Sequence, residues 1–225
     1  METLIFPTTF DRKVKVFFTG KNPGVDLLRI SEIASVGKQH IFVPVQKHTD
    51  KVLLLDSFDP KVADAVITDQ KGVLIGVQGA DCVPILLYDR RTGATGAVHA
   101  GWRGTAAGIL KKTIHAMGER FSSSQADIIL AIGPGIRWCC YDVGPEVIDA
   151  VKKATGGGDY FRVKGGRKYL DLPLANKHQA IYAGVKPENI SMLDDCTCCM
   201  PDKYYSYRFA KGPTGRQGGF IGLIE

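Results

Sequence analysis

Short β-branched runs, each closed by turn residues, crowd the first hundred positions of the chain. VKVFF (14–18), IFVPV (41–45), VLLL (52–55), AVIT (65–68), VLIGV (73–77), VPILLY (83–88) and GAVHA (96–100) all have strand length and composition. Stretches rich in Gly, Pro, Asp and Lys at 21–24, 56–60, 69–72 and 89–93 read as turns or loops between them. Helices do not alternate regularly with these runs, so a doubly wound parallel sheet is disfavoured.

The remainder mixes both periods. Ala106, Leu110, Thr113, Ile114, Met117 and Phe121 recur at helical spacing, which predicts a helix beginning after Gly104. A strand is expected over 127–133 and a short helix over 145–154. YFRV and KYLDL flank Gly165-Gly166 as a hairpin. Asp171 reads as the N-cap of a helix through Tyr182, with Pro173 in its first turn and Gly184 closing it. Strands are expected at 190–193, 204–208 and 219–224. With 225 residues and no repeat or linker, a single domain over 1–225 is the expectation. Its class is α+β, with mixed and antiparallel sheets packed together and flanked by helices.

Composition removes several functions. No apolar stretch reaches the 18 or so residues of a membrane helix, and METLIFPTTFDRK lacks the basic start and long apolar run of a signal peptide, so a cytoplasmic location is expected. The formal charge of +6 comes from scattered basic residues rather than a stripe or tail, so neither nucleic acid nor membrane is expected as a partner. Six cysteines at 82, 139, 140, 196, 198 and 199 should remain reduced thiols in that compartment. The CxCC run at 196–199 lacks the paired CxxC spacing of a zinc ribbon.

Chemistry concentrates in ADCVPILLYDRRTGATGAVHAGWRG (80–104). VPILLYD and GAVHAG read as a hairpin. With residues 90 and 91 at its centre, Cys82 and His99 oppose each other on one face, their Cβ atoms about 5 Å apart. Such a pair can share a metal or act as nucleophile and base. A cysteine between apolar residues is nevertheless more often a core residue. His48, between a strand and a polar loop, suits a third ligand, and three protein ligands with an open fourth position are the pattern of catalytic zinc. His115 and His178 fall in helical segments and read as packed or solvated; His40 is a weaker candidate. HAGWRGT leads into a helix N-terminus that favours anions, and Arg103, Arg208 and Arg216 could grip an anionic group, although surface ion pairs explain them equally well. Asp81 stands as a candidate general acid beside Cys82, with a capping role as its alternative.

QKHTDKV, ADAVIT, GADCVPILLYD, GAVHAGWRGT, the AIGPGI and CCYDVG segments, LDL followed by Asn176, DDCT, and SYR with GPTGRQGGFIG occur in one order along the chain. In these motifs it resembles the YfiH-like laccase-domain family, the multicopper polyphenol oxidoreductases also described as purine nucleoside phosphorylases. The resemblance implies an α+β layered sandwich related to cysteine hydrolases. It implies a metal and catalytic centre at His48, Cys82 and His99, holding zinc, with copper as the alternative. Substrate contacts are assigned to Lys21, Gln46, Arg103, Arg208 and Arg216. The implied reactions are phosphorolysis of adenosine, inosine and methylthioadenosine, adenosine deamination, and copper-linked phenol oxidation; a Cys–His amide hydrolase and an inactive binding homologue are the remaining alternatives. The partners are then a nucleoside and phosphate, handled by a monomer or homodimer. Two departures from the family pattern stand out: Thr49 follows the first histidine where glycine is usual, and Lys21, in TGKNPG, replaces an arginine. Lysine is a point charge and lacks the bidentate fork.

Overall fold

A computed structural model describes residues 3–224. In chain order its strands are β1 (Leu4–Ile5), β2 (Val14–Thr19), β3 (Ile41–Phe42), β4 (Val52–Leu54), β5 (Ala65–Thr68), β6 (Leu74–Gly79) and β7 (Val83–Asp89). β8 (Thr95–Ala100), β9 (Ile128–Ile132), β10 (Asp142–Val143), β11 (Phe161–Lys164), β12 (Arg167–Leu170), β13 (Ile190–Met192) and β14 (Gln217–Leu223) follow. The helices are α1 (Leu27–Ala34), α2 (Trp102–Ala106), α3 (Ile109–Phe121), α4 (Pro145–Thr155), α5 (Leu172–Tyr182) and α6 (Tyr207–Ala210).

A six-stranded sheet runs β13-β9-β7-β8-β5-β4, and a five-stranded sheet runs β1-β2-β14-β6-β3. Both are mixed: β13–β9, β4–β5 and β3–β6 are parallel, and the other pairs are antiparallel. A small antiparallel sheet, β10-β12-β11, lies apart from them in pairing. The class is α+β, as the strand pattern predicts.

Layering follows from the pleat. Alternate residues of a strand face opposite sides of its sheet. In β7, Ile85 and Leu87 pack with Leu110, Ile114, Val151 and Ala175 of the helices, whereas Leu86 and Tyr88 pack with Val16, Ile75 and Ile221 of the five-stranded sheet. Strand β7 is therefore buried on both faces, which is why VPILLYD reads as a continuous apolar run rather than an alternating one. The outer face of the five-stranded sheet is closed by Ile30 and Ala34 of α1, packed with Phe17, Leu74 and Phe220.

Four local expectations need correction. First, the β7–β8 register pairs Pro84 with His99 and Val83 with Ala100, so Cys82 faces Gly101 and not His99. A two-residue slip preserves side-chain parity, so Cys82 and His99 remain on one face, set diagonally. Second, the helix expected after Gly104 is two helices: α2 starts at Trp102 and ends before Gly108, whose φ of +72° breaks it, and α3 follows. Third, 204–208 is not a strand. The Ser206 side chain accepts from Phe209 N and starts α6 instead. Fourth, α1 was not anticipated; Asp26 caps it by accepting from the amides of Leu28 and Arg29.

The short α2 is anchored by α5. The fully buried Asn176 amide donates to the Thr105 hydroxyl at 3.0 Å and to the Leu172 carbonyl at 2.9 Å, and Gln179 donates to the Thr105 carbonyl at 2.7 Å. Asn176→Ala should therefore lower unfolding free energy by about 1–3 kcal/mol, read as a shifted urea midpoint at unchanged slope.

Candidate active site

β5 lies antiparallel to β8, and their register places Asp64, just ahead of β5, opposite His99. The His99 amide donates to the Asp64 carbonyl at 2.7 Å, and His99 Nδ1 lies 2.8 Å from Asp64 Oδ1. That bond directs the other ring nitrogen of His99 toward Cys82. The same carboxylate gathers the loop that carries His48. Asp64 Oδ1 accepts the His48 amide at 3.0 Å; Oδ2 accepts the amides of Lys47 and Thr49 at 3.2 and 2.6 Å and the Thr49 hydroxyl at 2.7 Å. The Thr49 hydroxyl thus adds a hydrogen bond to this knot. His48 itself sits at φ +57°, a left-handed conformation held by these bonds.

These constraints bring the three sequence-predicted ligands together. The donor atoms of His48, Cys82 and His99 all lie within 4.8 Å of one another. Cys82 Sγ is 3.8 Å from His48 Nε2, and the two imidazoles meet edge to face with centroids 5.0 Å apart. One thiol and two imidazoles around a common point fit zinc by donor type, and they equally match a His₂Cys copper set. Gly101 makes the convergence possible. A Cβ there would lie 2.9 Å from Cys82 Sγ and 3.1 Å from the His48 ring.

Burial alone would push the Cys82 thiol up, but the charge of His99 and a hydrogen bond with His48 outweigh it and hold the group at about 6. Burial would likewise lower His99, but the Cys82 thiolate and Asp64 raise it to about 9. Without metal the pair is therefore thiolate and imidazolium between those values. Iodoacetamide should alkylate Cys82 of metal-stripped protein at a rate that rises with pH up to about 6 and then levels off. An ordinary thiol, near 8.5, would still be gaining rate at about pH 8. Restoring zinc should suppress the reaction by occupying the sulfur.

A cleft of about 900 Å³ opens over these groups. It is walled by Val43–Gln46, by Gln78–Asp81 at the end of β6, by Trp102 and Arg103, and by Tyr141, Arg208 and Arg216. Arg103, in the five-residue α2, stacks on the Trp102 ring at 4.3 Å. Arg208 bonds the Asp142 carboxylate and carbonyl and lies 5.1 Å from the Tyr141 ring. Arg216 donates to the carbonyls of Thr214 and Gly215. The Gln46 amide pairs in both directions with the backbone of Gln78, joining the two walls. Lys21 is not among the lining residues; its ammonium lies 5.4 Å from the Tyr205 ring.

Asp81 does not stand ready as an acid. Its Oδ1 accepts from the Thr197 hydroxyl at 2.6 Å and its Oδ2 from the Arg208 amide at 2.8 Å, at a backbone φ of +84°. It orients the segment leading into Cys82. His115 and His178 pair with Glu119 and Asp159, away from the cleft.

Sequence reading missed Asp64 and Tyr141. A lone acid inside the apolar run of ADAVIT was the available signal, because a charge so placed needs partners. Burial, then the neighbouring Cys82 charge, pushes the Tyr141 phenol up to about 12, so it faces the cleft protonated.

Residues 26–224 match the family described as multi-copper polyphenol oxidoreductase laccase. The chain is 38% identical over 165 residues to the purine nucleoside phosphorylase YlmD of Geobacillus stearothermophilus, a match covering 72% of this chain and 60% of that protein. It is 35% identical over 199 residues to the adenosine deaminase RL5 of an unknown prokaryotic organism, covering 82% and 75%. The crystal structure of YlmD from Geobacillus stearothermophilus superposes with a TM-score of 0.89 at 28% identity, over 97% of this chain and 94% of that one. Among the described residues, no helix is long and apolar enough to cross a membrane.

Proposed function

Since the chain belongs to the multi-copper polyphenol oxidoreductase laccase family, whose relatives include named purine nucleoside phosphorylases, we propose that it is a metal-dependent purine nucleoside phosphorylase of the cytoplasm. The observation that carries this reading is the convergence of His48, Cys82 and His99 in a cleft that is also lined by three arginines. Its volume lies in the range of small-molecule sites, large enough for a nucleoside with phosphate.

In this reading Arg103, Arg208 and Arg216 hold phosphate and direct an oxygen toward the ribose C1′. The glycosidic bond breaks as the new C–O bond forms, and the purine leaves with the electron pair. Trp102 offers an aromatic face for the base, and the protonated Tyr141 phenol offers a hydrogen bond to the leaving purine. A zinc ion held by His48, Cys82 and His99 would supply Lewis acidity at the reacting end of the base. Water directed instead at C6 of the purine, with ammonia leaving and the glycosidic bond intact, would be deamination of adenosine, the activity named for one relative. Adenosine, inosine and methylthioadenosine are the proposed substrates.

Laccase chemistry fits less well despite the family's description. A His₂Cys centre alone does not reduce dioxygen in four electrons; that needs a further cluster rich in histidine. The chain has five histidines, and beyond His48 and His99 the remaining three are dispersed.

One observation favours a second reading. Cys82, His99 and Asp64 form a nucleophile–base–orienter line, with His99 Nδ1 on the carboxylate at 2.8 Å. That arrangement is also competent for thiol-dependent amide hydrolysis. The cysteine sulfur cannot serve as metal ligand and nucleophile at once, which separates the readings. Chromatography of adenosine incubated with the protein should show phosphate-dependent release of adenine, lost on chelation and regained with Zn²⁺. Inosine formed without phosphate would reveal deamination. Amide cleavage that survives chelation but stops on alkylation would replace the proposal with the hydrolase reading; absence of both adenine and inosine would sink it.

A further inference from the structure

Five of the six cysteines lie outside the candidate active site, and four of them meet. The Sγ atoms of Cys139, Cys140, Cys196 and Cys199 all fall within 4.8 Å of one another. Cys199 is 3.2 Å from Cys139 and 3.1 Å from Cys140. Cys139 and Cys140 come from the turn after Ile136, the other two from the turn before Tyr204, and the paired backbone of Gly135 and Cys196 brings the turns together. The Thr197 amide donates to the Gly135 carbonyl at 3.2 Å, and the Met200 amide to the Cys196 carbonyl at 3.2 Å, which fixes the second turn. Although the CxCC run has no second CxxC beside it, Cys196 and Cys199 are themselves a CxxC pair. The vicinal Cys139-Cys140 supplies the other half across the fold.

We propose that Cys139, Cys140, Cys196 and Cys199 form a second metal site, a closed tetrathiolate centre for Zn²⁺ with a structural role. Zinc–sulfur bonds of about 2.3 Å require tetrahedral sulfur–sulfur edges of about 3.8 Å. The Cys199 separations of 3.2 and 3.1 Å fall short of that value and every other pair lies within 4.8 Å, so small side-chain rotations suffice. Each thiol gives up its proton as its sulfur–metal bond forms, and no oxidant is consumed. A disulfide accounts for less. Cys199 can bridge Cys139 or Cys140 but not both, which leaves two thiols gathered without purpose and requires an oxidant. Four thiolate ligands leave no open position, so the centre would not bind substrate.

Its position gives the centre a consequence for the cleft. The first turn leads from Ile136 to Tyr141, both lining residues, and the second carries Thr197, which holds Asp81. Arg208 reaches the Cys140 carbonyl at 3.4 Å. The metal would pin the two turns behind one wall of the cleft. Cys198, beside Cys140 and Ser206, is outside the set.

The test separates this site from the first by mutation. Full-length protein purified with zinc under reducing conditions should carry about two equivalents by elemental analysis, and the His48→Ala/Cys82→Ala variant about one. With Co²⁺ replacing zinc, that variant should show the intense thiolate-to-metal charge-transfer and visible bands of a tetrahedral sulfur site. Cys196→Ser/Cys199→Ser should keep the first metal and lose those bands, while Cys198→Ser keeps both metals. Should the double-serine variant fail to fold, the cobalt spectrum of His48→Ala/Cys82→Ala decides alone. Absence of metal or of thiolate bands in that variant overturns the proposal, as does a disulfide involving Cys199 in freshly isolated protein. A failed nucleoside assay leaves these readouts unaffected.

Discussion

Asparagine at position 64 should destabilise the folded protein by about 3–5 kcal/mol and weaken zinc binding by about 10–100-fold. Asp64 is fully buried, and its two oxygens accept from the amides of Lys47, His48 and Thr49, from the Thr49 hydroxyl and from His99. Every one of these partners is a donor. The amide of asparagine would turn two hydrogens toward them whichever way it rotated, leaving at least one backbone N–H unsatisfied and His99 without its counter-charge. Both histidines would lose their orientation, since His48 depends on this carboxylate for its left-handed backbone.

The effect should also depend on pH. Burial alone would raise the Asp64 carboxyl, but hydrogen bonds from His99, Thr49 and Lys47 hold it well below the usual carboxylate range. A depressed folded pKa contributes stability that is fully present above the unfolded value, about 3.9, and is lost as pH falls toward the folded one. The wild-type advantage over Asp64→Asn should thus be full at neutral pH and shrink only in strong acid. Urea unfolding at several pH values, together with competitive zinc titration, measures both effects. An asparagine variant that matched wild type in both would remove Asp64 from its role as organiser of the site.

Alanine at position 101 should abolish metal binding and nucleoside turnover with little change in unfolding. The backbone at Gly101 has φ −73° and ψ 171°, ordinary for any residue, so the substitution imposes no backbone strain. A methyl group would instead enter the space between Cys82 Sγ at 2.9 Å and the His48 ring at 3.1 Å. Those are the atoms that must converge. Displacing them by even a few tenths of an ångström spoils a three-ligand geometry, and a loss of about 100-fold or more in turnover is expected. Matched circular dichroism and urea curves for the two proteins would separate this local effect from unfolding. Full activity in Gly101→Ala would show that the reaction does not use the Cys82–His48 pair.

The strands were legible because their signals are local. AVIT, VPILLY and GAVHA each carry enough β-branched and apolar residues to declare themselves, and Gly165 and Gly166 both adopt the positive φ that their hairpin turn requires. Cys82 and His99 were also legible as candidates, although by a register argument wrong by two residues, and His48 by its place between a strand and a polar loop. Parity rescued the register argument: a slip of one residue would have placed Cys82 and His99 on opposite faces. Cap chemistry at Asp26 and Ser206 is equally local, yet neither α1 nor α6 is among the sequence expectations. Gly108 shows the reverse case, where a continuous helical period concealed a break visible only in φ.

What the sequence by itself determined is whatever depends on neighbours along the chain: the strand runs, the hairpins, the helix N-cap at Asp171, and the set of side chains able to bind a metal. What only the tertiary structure decided is which of those side chains meet. Asp64 reaches His48 and His99 because β5 pairs with β8, and Arg208 reaches the cleft because α6 packs beside Asp81. The CxxC pair at Cys196 and Cys199 finds Cys139 and Cys140 through the bridge at Gly135. Contacts of this kind join residues tens of positions apart. Their geometry is set by strand pairing and layer packing, and spacing along a single chain does not encode it.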